Sequence, residues 1–216
     1  MRHFLPLLIG LASLVISGCS TGRIQAEPEL SKLEGKKIAL VQLDAEPSAR
    51  AIVEVALVNQ LVARGSFILL SEKDVMKARS APEQDPTDWL GIAKRAGAEF
   101  ALRLKVLEFS AEESESYSAV EEEDSQLAAE RGDGKTERVI KQKTLEGAVR
   151  IQVDFADTDP EAAAKHKRAP VQTGIAEAKD RLSADSKTGA AHLPPRLGFL
   201  EKLTNEAFRK FFERYN

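Results

Sequence analysis

Hydrophobic and polar positions change rhythm several times along this chain, and each change predicts an element. Lys37–Leu43 is almost continuously apolar, as in a strand buried on both faces. Pro47 and Ser48 open a helix over Ala49–Ala63, with Ile52, Val55, Ala56, Leu57, Val58, Leu61 and Val62 giving a wide apolar face, and Gly65 stands where a helix-ending glycine belongs. Phe67–Leu70 predicts a second strand, and Ser71 an N-cap for a short helical stretch through Ala78. Asp85, Pro86 and Asp88 form a start signal for a helix over Pro86–Ala96, stopped at Gly97. Phe100–Phe109 predicts a third strand, whose Leu102, Leu104 and Val106 alternate with Arg103 and Lys105. Gly147–Asp157, with Val149, Ile151, Val153 and Phe155 on one face, predicts a fourth, and Val171–Leu182 a weakly patterned fifth. At the end, Leu200, Leu203, Ala207, Phe208, Phe211, Phe212 and Tyr215 keep a helical period. The order implies an α/β fold. Its five-stranded mixed sheet has a βαβαβ opening, antiparallel closing strands, packed helices and a C-terminal amphipathic helix.

Two segments break this pattern. Ala111–Glu130 holds eight acids and no base, and Arg131–Lys143 turns basic around Gly132 and Gly134. The segment at about 111–145 reads as a charged, solvated insertion, either a frayed hairpin or a disordered loop. At the other end, Arg2 precedes an apolar run from Phe4 to Ile16, followed by the small residues Ser17 and Gly18. That is the order of a secretory signal, and the run is short for a membrane span. Cys19, the only cysteine, follows at once. Ile16-Ser17-Gly18-Cys19 resembles the lipobox of bacterial lipoproteins, which implies cleavage before Cys19 and lipidation of its thiol. Two or more acyl chains give stable anchoring. By the sorting rule of such lipoproteins, Ser20 in place of Asp implies the outer membrane. The expected organisation is a signal over 1–18, a lipidated tether over 19–35 reaching about 46 Å when stretched, and one domain over 36–216.

Composition narrows the function. Removing Arg2 from the 31 basic residues leaves 30 against 34 acids, and the pI is near 5.8, which disfavours a nucleic-acid partner. One cysteine excludes an internal disulfide framework and a zinc site of several thiolates. After the signal only His166 and His192 remain, both in polar loops, so neither a metal site nor a nucleophilic triad is expected. Gly134-Lys135-Thr136 echoes the end of a phosphate-binding loop, but the glycine required five residues earlier is Ala129. Glu121, Glu122, Glu123 and Asp124 read as a solvated acidic face open to a partner. Trp89, the only tryptophan, reads as core first and as a partner contact second. No cofactor is expected.

Lys37–Leu43, the helix end Leu61-Val62-Ala63-Arg64-Gly65, Phe67–Leu70 with Ser71-Glu72, and Gly97-Ala98-Glu99-Phe100 together resemble the CsgG-like domain superfamily of bacterial envelope lipoproteins. That group takes in the curli-secretion lipoprotein, the penicillin-binding-protein activator LpoB and the N-terminal domain of TolB. The resemblance spans about Lys36–Ser110, Gly147–Asp157 and the last helix, and brings no catalytic residue. It implies a non-enzymatic lipoprotein, lipid-anchored at the periplasmic face of the outer membrane. Its expected role is that of an adaptor, assembly or regulatory module for envelope proteins, with homo-oligomerisation compatible. The alternatives are an envelope ligand-binding protein or hydrolase, and a curli-type export component lacking membrane hairpins of its own.

Overall fold

The computed structural model describes residues 35–64, 67–81, 85, 87–123, 135–159, 161, 164, 171–186 and 192–214. Cys19, the signal and most of the tether lie outside them, as do Asp124, His166 and Tyr215.

Five strands form one sheet in the order β2-β1-β3-β4-β5. They are β1 (Lys37–Asp44), β2 (Ile68–Leu69), β3 (Phe100–Glu123), β4 (Lys135–Asp157) and β5 (Val171–Asp185). β1 lies parallel to β2 and β3, while β3–β4 and β4–β5 are antiparallel. The helices are α1 (Pro47–Arg64), α2 (Glu72–Arg79), α3 (Trp89–Arg95) and α4 (Arg196–Arg214). The mixed α/β architecture is therefore the one the periodicity implies, and the fifth strand exists.

The sheet separates two cores. On one face α1 and α4 bury Val53, Leu57, Leu61, Leu203, Phe208 and Phe211 against Ile38, Leu102, Leu104, Val149, Ile151 and Val153. On the other, α2 and α3 bury Val75, Ala78, Ile92 and Ala93 against Ala39, Val41 and Ala101. β1 alternates between the two cores, with Ile38 and Leu40 in the first and Ala39 and Val41 in the second, which explains its unbroken apolar run, and a shift in register between Leu40 and Gln42 returns Leu43 to the first. Arginines satisfy carbonyls at and just after this shift: Arg79 donates to the main-chain oxygen of Val41, and Arg50 to that of Leu43 at 3.0 Å.

α4 buries two adjacent rows, Phe199–Leu203–Ala207–Phe211 and Leu200–Thr204–Phe208–Phe212. Phe211 stacks on Phe155 with ring centres 6.5 Å apart and meets Phe212 edge-on at 5.4 Å. The helix crosses β4 where Gly147 lies. A Cβ there would stand 2.7 Å from the Phe199 ring, closer than packed carbon atoms come, so the crossing needs glycine.

Three expectations change. The helix predicted over Pro86–Ala96 begins instead at Trp89, with Asp88 as its N-cap, accepting the Gly91 N–H at 2.9 Å. Asp85 is spent on the Thr87 N–H (2.8 Å) and hydroxyl (2.6 Å), a local turn that competes with helix formation. The stop at Gly97 stands: its φ is 85°, and the Gly97 and Ala98 N–H groups close back on Lys94 and Ala93. The apolar face of α1 is narrower than its composition suggests, since Val55 and Val62 are 54% and 71% exposed. The segment at 111–145 is, over its described residues, neither loop nor frayed. β3 runs on to Glu123, and β4 starts at Lys135, paired throughout.

Candidate interaction surface

Strand β3 leaves the body as it passes β1, whose last pair is Asp44 with Lys105. β5 accompanies β4 as far as the pair of Gln142 with Asp185. Ser186 then closes that ladder, donating its N–H to the Lys141 carbonyl and accepting the Lys141 N–H on its hydroxyl, both at 3.0 Å. Beyond, Ser118–Glu123 and Lys135–Ile140 pair only with each other among the described residues. This two-stranded ribbon, about 20 Å long at 3.4 Å per residue, has both edges open among the described residues.

Charge holds the ribbon at its root. Glu115 meets Lys141 at 2.8 Å and Lys143 at 3.2 Å, and Lys143 also reaches Glu113 at 3.4 Å. These ammonium groups and the Tyr117 hydroxyl hold the Glu115 carboxyl down at about 2, and its charge in turn raises both lysines. Tyr117 lies opposite Lys141 in the ladder, with the ammonium 5.8 Å from the ring centre. The acidic run and the basic run are therefore two sides of one ladder, folded back about the segment between Glu123 and Lys135.

Past this ionic root the ribbon shows Tyr117 (64% exposed) and Val139 (65%), diagonal neighbours on one face, with Ala119 opposite Val139. Val120 and Ile140 lie on the other face. Neither face offers the row of apolar residues a lipid-facing strand needs, because Glu113 and Glu115 occupy one and Ser114, Ser116 and Ser118 the other. Glu121, Glu122 and Glu123 stand at the far end of β3, in register with Glu137, Thr136 and Lys135. At the ribbon's base Glu108, Ser110, Glu112, Glu146, Lys179 and Arg181 help line an open groove of about 650 Å³.

Trp89 sits elsewhere. It is half-buried against the α2–α3 core, with the Arg103 guanidinium 4.9 Å from its ring centre. Arg103 donates twice to one oxygen of Asp154, at 3.0 and 2.8 Å, while Gln152 and Thr173 each donate to the other at 2.9 Å. The Asp154 carboxylate is 4% exposed and fully engaged. Sequence reasoning missed it, because Asp154 occupies the strand parity that alternation assigns to solvent. The structure thus does not bring Trp89 and the acidic run together.

No group of three or more potential metal-ligating side chains occurs among the described residues. His192 is exposed in the coil before α4, and Lys135 and Thr136 open a strand where a phosphate loop would open a helix. No described helix is long and apolar enough to cross a membrane.

No family model matches the chain, and no curated protein matches it. Among solved structures it is similar to lipoprotein GNA1162 from Neisseria meningitidis, over 82% of this chain and 97% of that one, at 10% identity and a TM-score of 0.38. It is similar to the hypothetical protein CT253 from Chlamydia trachomatis over 84% and 93%, at 12% identity and a TM-score of 0.31. It is also similar to a structure described as a neuraminyllactose-binding hemagglutinin homolog from Helicobacter pylori, over 88% and 85%, at 13% identity and a TM-score of 0.32. At these TM-scores the likenesses assign neither family nor function.

Proposed function

We propose that this chain is an outer-membrane lipoprotein anchored through Cys19, whose CsgG-like domain serves as a non-catalytic adaptor in an envelope assembly. The observation that carries the reading is the β3–β4 ribbon. It stands clear of both cores, is stiffened by the Glu113/Glu115–Lys141/Lys143 ion pairs, and presents Tyr117 and Val139 with two open strand edges. Such a ribbon can add to a partner's sheet or seat its aromatic residue in a pocket. The lipid supports this by confining the domain to one surface, which raises its concentration there.

The test is affinity recovery from cross-linked membranes, read by mass spectrometry. It compares the intact lipidated chain with Tyr117→Ser/Val139→Ser and with Cys19→Ser. We expect envelope proteins with the intact chain, their loss with the ribbon variant, and release from the membrane with Cys19→Ser. The same set recovered with and without Tyr117 and Val139 would contradict the role of the ribbon.

A further inference from the structure

Among the described residues β5 is the last strand of the sheet, fifteen residues long and paired on one side only. Two hydrogen bonds reveal which of its main-chain groups point outward. The Ile175 carbonyl accepts from the Arg214 guanidinium at 2.8 Å, and the Arg181 N–H donates to the Asp180 carboxylate at 2.8 Å. In an antiparallel ladder outward-pointing residues alternate. The outward set is therefore Thr173, Ile175, Glu177, Lys179, Arg181 and Ser183.

We infer that this edge is a two-fold interface, on which the β5 of a second copy of the chain pairs antiparallel, centred on Ala178. The register follows from charge. Hydrogen bonding across the edge requires outward residues to face outward residues. A register centred on Glu177 sets that acid against itself. One centred on Lys179 sets two ammonium groups together, and one centred on Asp180 sets Lys179 against Arg181. One centred on Ala176 forms no charge pair. Centred on Ala178, Glu177 faces Lys179 of the second copy and Lys179 faces its Glu177. Ile175 meets Arg181, Thr173 meets Ser183, and the small Ala178 lies on the axis. Opposite charges directly across a ladder stabilise it, and like charges destabilise it.

The two capped groups fit the same register. The Ile175 carbonyl and the Arg181 N–H, held by side chains within one copy, become hydrogen-bond partners across the axis. Asp180 and Arg214 therefore guard the edge against indiscriminate pairing, the usual problem of a long edge strand, and a matching strand replaces them. A carbonyl has two lone pairs, so Arg214 can stay in place. Asp180 retains Lys202, 3.6 Å away, when it releases the Arg181 N–H. The contacts of Glu177 with Arg150 (3.8 Å) and of Lys179 with Glu108 (3.7 Å) are long and exposed, and compete weakly. About twelve main-chain hydrogen bonds would join the two sheets into one.

The test uses the intact lipidated chain in detergent micelles, with its mass measured by sedimentation from low to high micromolar concentration. The expected result is a dimer that Glu177→Lys or Lys179→Glu each weakens about tenfold or more, and that the double exchange Glu177→Lys/Lys179→Glu restores. Both side chains are exposed, and Trp89 emission checks that each variant is folded. A monomer at every concentration overturns the inference. So does a dimer indifferent to the single reversals, or one the double exchange fails to restore.

Discussion

At the scale of single residues, the most informative side chain is Asp154. Alternation along β4 labels it solvent-facing, like Gln152 and Arg150, yet it is buried beside Arg103 of the neighbouring strand, whose guanidinium lies against the Trp89 ring of α3. A buried carboxylate needs its lone pairs filled, and Arg103, Gln152 and Thr173 fill them. Its removal leaves Arg103 without its partner under the Trp89 ring. Asp154→Ala should therefore cost about 3 kcal/mol and shift Trp89 emission to longer wavelength as the ring loses its stacked guanidinium. Denaturant unfolding followed by that single fluorophore measures both, and an unchanged midpoint would contradict the account. Gly147 was legible in the sequence only as the start of a strand. Its real constraint, the Phe199 ring, comes from a helix some fifty residues away and leaves no local trace.

At the scale of elements, legibility depended on whether periodicity or tertiary pairing decides the structure. α4 was readable because Leu200, Leu203, Ala207, Phe208, Phe211 and Phe212 recur every three or four residues, and the structure adds Phe199 and Thr204 to its buried side. The start of α3 was misread by three residues because two aspartates compete, and Asp85 bonds within its own turn. The ribbon was misread more deeply. Each of its strands, taken alone, looks too polar to be ordered, since its stabilising contacts lie in the complementary strand about thirty residues away. The signal was nevertheless present: an acidic run followed by a basic run around glycines is a hairpin whose charges meet across the ladder.

The ionic root makes a pH prediction with a definite sign. The Glu115 carboxyl sits at about 2 in the folded chain, below its ordinary 4.5. Its contribution to ribbon order is therefore fully present above pH 4.5, and is lost as pH falls toward 2. The carboxyl resonance of Glu115 should titrate near 2, and amide protection over Ser114–Ser118 should decline across that window. A midpoint at the ordinary value would show that the pairs with Lys141 and Lys143 do not persist in solution.

At the scale of the whole molecule, the domain divides into a body and a projection. The body contains two cores on a single sheet, with the polar network of Asp154 tying α3 to it. The projection is held by ion pairs rather than by a core, and its exposed apolar residues are few and adjacent. The distinctive feature among the described residues stands outward, and it is the part that the proposed contact role assigns to other proteins. The fold class was legible because strand and helix periods survive translation into a sheet with helices on both faces. The projecting element was not, because only the paired register creates it.

The claim that the ribbon is the contact element is tested most directly by site-specific photo-cross-linking in intact cells. The photoreactive residue replaces Tyr117 in one strain and exposed Val62 on α1 in another. Discrete adducts with one or a few envelope proteins are expected from position 117 and none of these from position 62. Adducts from position 62 with none from position 117 would contradict this expectation and move the interaction surface to the helical face.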